Sequence, residues 1–119
     1  MGAVGVVAGR RHDPAVAGER PAGDRPLGPR HRDACLAELD ALDDQIIDDI
    51  FRVNWRGAFA AVRAFRPLLK ATGAGLVVNI SSIAGVTGMG SNVAYCASKA
   101  ALDSMTKSLA RALAPEIRV

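Results

Sequence analysis

The sequence predicts an α/β fold on three observations. A long helical stripe fills the middle of the chain. A short apolar run after it reads as a strand, and a second helical stripe then stops at Pro115, just before an Ile-Arg-Val ending. Helix, strand, helix and strand start is the order of units whose strands lie parallel and cross over right-handedly. The 119 residues allow one small domain, and they contain no internal repeat.

Composition narrows the class. Half of the residues are hydrophobic and 23% are charged, which suits a packed core rather than a disordered chain. No run approaches the ~20 apolar residues of a membrane span, and no charged-then-apolar leader opens the chain. The net charge of +3, from 15 Lys and Arg against 12 Asp and Glu, is too mild to argue for nucleic acid. Two cysteines, Cys35 and Cys96, without paired histidine spacing, exclude a zinc site and a disulfide framework. A reduced, cytoplasmic setting is the expectation.

The charge is unevenly spread. Residues 1–34 carry six Arg and four acids, residues 35–50 carry six acids and no base, and residues 51–119 carry nine bases and two acids. All five aromatics, Phe51, Trp55, Phe59, Phe65 and Tyr95, follow residue 50, so the core is expected there. Residues 1–34 hold four of the six prolines and read as an irregular or disordered segment. Within it only Ala3 to Ala8 has strand character, weakened by Gly5. Its arginines are interspersed with acids and lack aromatics, which disfavours a nucleic-acid arm.

The first regular element is a helix from about Asp44 to Lys70, capped by Asp43 or Asp44. Ile47, Ile50, Asn54, Ala58, Ala61, Phe65 and Leu68 form its apolar stripe. Asp48 and Arg52 stand four apart on another face, and Pro67 is expected to kink or end the helix. Thr72 to Gly75 reads as a turn. Leu76 to Ile80 reads as a strand covered on both faces. Ser81 to Asn92 is a loop of small residues. A second helix follows from about Val93 to Leu113. Its large stripe is Leu102, Met105, Leu109 and Leu113, and its small stripe is Ala97, Ala101, Ser104 and Ser108. Asp103 and Lys107 form an i,i+4 pair on its exposed side.

Four residues carry possible chemistry. Tyr95 and Lys99 share one helix face, a turn apart. An ammonium beside a phenol favours the phenolate and so suits Tyr95 to acid/base work. Taken alone, a tyrosine at a helix start more often only packs, with its hydroxyl in water. Ser82 follows the C-terminal end of the apolar strand, where open α/β sheets bind ligands; the plainer role is a serine capping its own turn. Asn54 interrupts an apolar stripe, and a buried amide there needs partners, whether functional or structural.

Together these residues resemble the short-chain dehydrogenase/reductase family. The resemblance rests on VNWRGAF (53–59), LVVNISSIAG (76–85) and AYCASKAALDSMTKSLARALAPEIRV (94–119), with the acidic lead-in LDALDDQIIDDIF (39–51). It spans Leu39 to Val119, the catalytic portion of a Rossmann-like domain, and implies part of a doubly wound parallel sheet. It also implies NAD- or NADP-dependent hydride transfer between an alcohol and a ketone or aldehyde, a 3-oxoacyl group among them. By the resemblance, Tyr95 exchanges the proton of the substrate oxygen. Lys99 lowers the tyrosine pKa and binds the nicotinamide ribose, Ser82 holds the substrate oxygen, and Asn54 holds a water relaying protons to Lys99. Paired long helices in the family imply a homo-oligomer; neither a membrane nor nucleic acid is an expected partner.

The family's glycine-rich pyrophosphate turn is not matched. Gly2, Gly5 and Gly9 lead only into Arg10-Arg-His-Asp-Pro14, with no capped amphipathic helix. The residue that selects NAD or NADP is likewise unmatched. Residues 1–34 resemble no part of the family, and their composition fits an out-of-frame reading of GC-rich DNA. The expectation is therefore a partial family product. The alternative is a catalytically inactive fragment, or a helix-pairing module, that keeps the motif by descent.

Overall fold

The structure, a computed structural model, describes residues 37–119 and the backbone of one strand near the N-terminus, β1 (Ala3–Val6). The strand falls where Ala3 to Ala8 has strand character, inside the segment read as irregular. Arg10 to Arg32 and Cys35 lie outside the described residues.

A helical rod runs through three consecutive pieces: α1 (Asp44–Phe51), a π-helical segment (Arg52–Gly57) and α2 (Ala58–Ala71). Asp43 caps the rod, its carboxylate accepting from the Ile46 N–H at 2.8 Å. The π segment corrects the expected stripe. Asn54 and Ala58 are buried as expected, but beyond them the core positions are Val62 and Leu69, while Phe65 and Leu68 are exposed. A π turn holds one more residue than an α turn, so the buried face moves one residue along the chain, from 61 and 68 to 62 and 69. Arg52 pairs with Asp49 at 2.9 Å rather than with Asp48, at the point where the π segment begins. Pro67 neither ends nor interrupts the helix, which runs four residues further. Pro67 and Arg63 are both exposed, so water can take the Arg63 carbonyl that the missing N–H leaves.

The turn after α2 leads into β2 (Gly75–Asn79), which starts one residue earlier than the apolar run predicts. Gly75 is needed there, because a Cβ would sit 2.8 Å from the Leu69 carbonyl oxygen. The expected loop contains a short helix, α3 (Ala84–Thr87), closed by Gly88 in the left-handed conformation at φ 69°. Next come α4 (Val93–Leu113), matching its predicted bounds, and β3 (Ile117–Arg118). Asn92 caps α4, accepting from the Tyr95 N–H at 2.8 Å.

The three strands form one parallel sheet in the order β1-β2-β3, with Ala3 opposite Leu76 and Gly75 opposite Ile117. Val62, Leu69, Val77 and Ile117 make one buried cluster, joined by Leu109 and Leu113; Ala58, Leu102 and Met105 make a second, joined by Trp55, Phe59 and Leu109. Leu109 touches both, so α4 is the element that fuses rod and sheet into one core. Cover on both faces of β2 is not observed. Val77 is 2% exposed, whereas Val78 and Ile80, whose side chains alternate to the other face, are 47% and 48% exposed. Among the described residues the packing clusters form on the Val77 side only. Lys70 at the end of α2 is paired with Glu116 beside β3 at 3.0 Å. No helix among the described residues is long and apolar enough to cross a membrane.

Candidate active site

The four candidate residues come from three elements. Asn54 lies in the π segment, Ser82 in the loop between β2 and α3, and Tyr95 and Lys99 in the first two turns of α4. The cap at Asn92 starts the helix and so sets both α4 residues on one face. The Lys99 ammonium lies over the Tyr95 ring, 5.7 Å from its centroid. It donates to the main-chain carbonyl of Ile80, just beyond β2, at 3.0 Å. Ser81 donates to the Lys99 carbonyl at 3.3 Å. Side chain and backbone of one lysine are thus both tied to the loop that leaves the central strand.

Lys99 is 1% exposed. That burial lowers its pKa from the usual 10.5, while the charge of Asp103, one turn further along α4, works in the opposite direction. Asp103 does not form the expected ion pair with Lys107; the ion pairs formed among the described residues are Arg52–Asp49 and Lys70–Glu116. The acid therefore acts on the site lysine rather than on an exposed neighbour.

Ser82 is half-buried, and its hydroxyl accepts from the Ala84 N–H at 3.2 Å, the turn-capping role. Gly85 brings this loop against α4. A Cβ there would stand 2.8 Å from the Ala100 nitrogen and 2.8 Å from the Lys99 carbonyl carbon. Asn54 is 6% exposed and satisfied, donating from Nδ2 to the Ser98 hydroxyl at 2.9 Å, and Ser98 donates to the Tyr95 carbonyl at 2.8 Å. Sequence reasoning missed Ser98, because a lone serine within a helix carries no pattern. Asn79, at the end of β2, was missed too; its amide donates to Thr106 at 2.9 Å while its oxygen is buried without a partner among the described residues.

A groove of about 530 Å³ opens between the rod and α4, with Trp55 and Phe59 on one wall and Ala101, Ser104 and Ser108 on the other. Trp55 and Phe59 stack at 5.8 Å between centroids. The small-residue stripe therefore faces an aromatic wall of the same chain and leaves a channel between them. No group of metal-ligating side chains is found among the described residues.

This arrangement of sheet, loop and helix has close counterparts among known proteins. The short chain dehydrogenase family model matches residues 33–119. The short-chain dehydrogenase/reductase homolog YusR of Bacillus subtilis (strain 168) is 53% identical over 64 residues, 54% of this chain and 50% of that protein. An NAD-dependent glycerol dehydrogenase of Listeria innocua is 39% identical over 82 residues, 69% of this chain and 32% of that protein. A crystal structure of a short-chain dehydrogenase/reductase from Burkholderia xenovorans aligns with a TM-score of 0.64 at 48% identity, over 68% of this chain and 34% of that one. The chain thus spans half or less of the length of these relatives. With the family model covering everything from residue 33 onward, and with a parallel sheet whose central strand delivers a serine loop to a Tyr–Lys helix, the chain belongs to the short-chain dehydrogenase/reductase family.

Proposed function

We propose that this chain carries the reacting half of an NAD- or NADP-dependent oxidoreductase that interconverts an alcohol with a ketone or aldehyde. The observation that carries the reading is the Tyr95–Lys99 pair, one turn apart at the start of α4, with the ammonium held beside the phenol ring and bonded to the loop that bears Ser82. Tyr95 exchanges a proton with the substrate oxygen. Ser82 holds that oxygen and stabilises charge developing on it. Lys99 places a positive charge beside the phenol ring. Asn54 holds the water through which the proton reaches solvent.

A nicotinamide cofactor supplies or accepts the hydride. The ammonium and phenol, on one helix face, are the donor types that ribose hydroxyls take, so this part of the group fits Tyr95 and Lys99. No residue of the chain is assigned to the pyrophosphate, and the choice between NAD and NADP has no residue to rest on. As to substrate, no Asp, Glu, Lys, Arg or His stands between Lys70 and Lys99. Ile83 and Val86, next to Ser82 along the chain, are 73% and 77% exposed. Both facts favour a carbonyl on an uncharged, apolar carrier, as in a 3-oxoacyl group, over a carboxylate or phosphate ester. The groove between the rod and α4 favours assembly as a homo-oligomer, and the buried free thiol of Cys96 suits a reducing, cytoplasmic compartment.

Titration of the chain with NADH and NADPH, followed by nicotinamide fluorescence, tests the reading. Saturable binding that Lys99→Met weakens is the expected result. No binding to a folded chain favours the second reading, an inactive helix-pairing fragment, for which the rod–α4 groove is the supporting observation. Sedimentation of the same sample reports the assembly.

A further inference from the structure

We infer that Ser98 is the positioning residue that locks Asn54 of the π segment onto the Tyr95–Lys99 turn of α4. Its functional meaning rests on the reading of Tyr95 and Lys99 given above, while the lock itself rests on geometry alone.

Ser98 is 0% exposed, among the most deeply buried side chains of the protein. Its hydroxyl makes two bonds of opposite sense. It donates to the Tyr95 carbonyl at 2.8 Å and accepts from Asn54 Nδ2 at 2.9 Å, across 44 residues of chain. A serine bonded back to its own helix is common and by itself carries nothing. The second bond is what matters. A hydroxyl has one proton, and here it is committed to Tyr95, so the oxygen can only accept. The amide of Asn54 is the matching donor.

The direction of the neighbouring side chain adds to this. Ser98 reaches toward the rod, while Lys99, the next residue, reaches toward the Ile80 carbonyl after β2. Two consecutive residues thus clamp the first turns of α4 between rod and strand. The rod end of the clamp falls on the one stretch of the rod that is π-helical, Arg52–Gly57. Such segments are rare and need something to hold them. A cross-helix bond to Asn54 fixes where the extra residue sits. It also holds Asn54 at a constant distance from the Tyr95 main chain.

Threonine and valine variants test this, because they have the same shape and only threonine keeps the hydroxyl. Both add a methyl group to a fully buried site, so any packing strain is common to the two. In 15N-labelled full-length chain, the Asn54 side-chain amide should stay protected in Ser98→Thr, as in the wild type. In Ser98→Val it should exchange roughly tenfold faster. Trp55 is the only tryptophan and adjoins Asn54, so its emission should shift in Ser98→Val and return in Ser98→Thr. Equal behaviour of the two variants overturns the inference. Should neither fold, Ser98→Ala, Asn54→Ala and the double variant form a thermodynamic cycle. Losses that fail to add support the lock, and strictly additive losses overturn it. An absence of NAD(P)H binding by the wild-type chain would count against the proposed function and leave these contrasts to decide the lock.

Discussion

Lys99 donates from Nζ to the carbonyl of Ile80 at 3.0 Å, which makes the site lysine a structural strut as well as a charge. The bond joins α4 to the residue just past β2, the central strand of the three described. Burying an ammonium at 1% exposure is costly unless it is bonded. The Ile80 carbonyl, the face of the Tyr95 ring and the charge of Asp103 offset that cost together. The strand end, the loop bearing Ser82 and the helix bearing Tyr95 are therefore held in register through one side chain.

This burial has a pH signature. It lowers the Lys99 pKa in the folded chain below the 10.5 of the unfolded one. Between those two values the unfolded state binds more protons, so stability contributed by Lys99 rises with pH across that window. Below it, the full penalty of a buried cation applies. Urea unfolding of the wild type and of Lys99→Met should differ in pH slope in the window just below 10.5, where the wild type gains stability as pH rises and the variant lacks the rise. Identical slopes would mean that Lys99 is solvated as an ordinary lysine. Subtracting the variant also removes the contributions of other groups.

Cys96 gives a second prediction, of opposite sign. Burial pushes its thiol up from the ordinary 9.0, and Sγ is spent on the Ser91 carbonyl at 3.6 Å. The nucleophile is the thiolate, so native Cys96 should react with iodoacetamide at pH 8 at least roughly tenfold more slowly than the unfolded chain. Peptide mapping isolates the Cys96 peptide from that of Cys35. Equal labelling before and after denaturation would show that this part of α4 is open.

These residues also mark what a sequence can and cannot reveal. The bounds of α4 were readable because a cap, a continuous stripe and Pro115 are all local signals. The rod was readable as a helix. Its π segment was not, because one extra residue leaves the apolar periodicity plausible and shows only in whether 61 and 68 or 62 and 69 are buried. Tyr95, Lys99, Ser82 and Asn54 were legible as a spaced set. Ser98 was not, since its importance lies in a partner 44 residues away. The half-covered β2 was also out of reach, because an apolar strand does not record which of its faces a helix will find.

Leu102 should be the most sensitive core position of α4. It is 1% exposed and packs with Ala58 and Met105 where the rod crosses the helix. Leu102→Ala removes buried methyl groups and leaves a cavity, at a cost of about 2–5 kcal/mol. Leu102→Met keeps the volume and should cost less than about 1.5 kcal/mol. Thermal unfolding by circular dichroism separates the two, and equal losses would place the contact between rod and α4 elsewhere.

One substitution made at two glycines should act in opposite directions. At Gly85 an added Cβ meets the Ala100 nitrogen and the Lys99 carbonyl carbon, both at 2.8 Å, and both are backbone atoms that cannot swing aside. The loop must then lift from α4, and the Gly85 N–H bond to the Ser82 carbonyl, 3.0 Å, carries Ser82 with it. Gly85→Ala should therefore cost about 1–3 kcal/mol and lower the melting temperature by at least about 4 °C. At Gly57 the nearest atom is the Arg52 oxygen at 3.5 Å, ordinary contact within the rod. There alanine favours the helical backbone, and Gly57→Ala should be neutral or stabilising by up to about 1 kcal/mol. Melting curves of the two single variants decide the matter: a Gly85→Ala chain as stable as the wild type would show that the Ser82 loop does not lean on the backbone of Lys99.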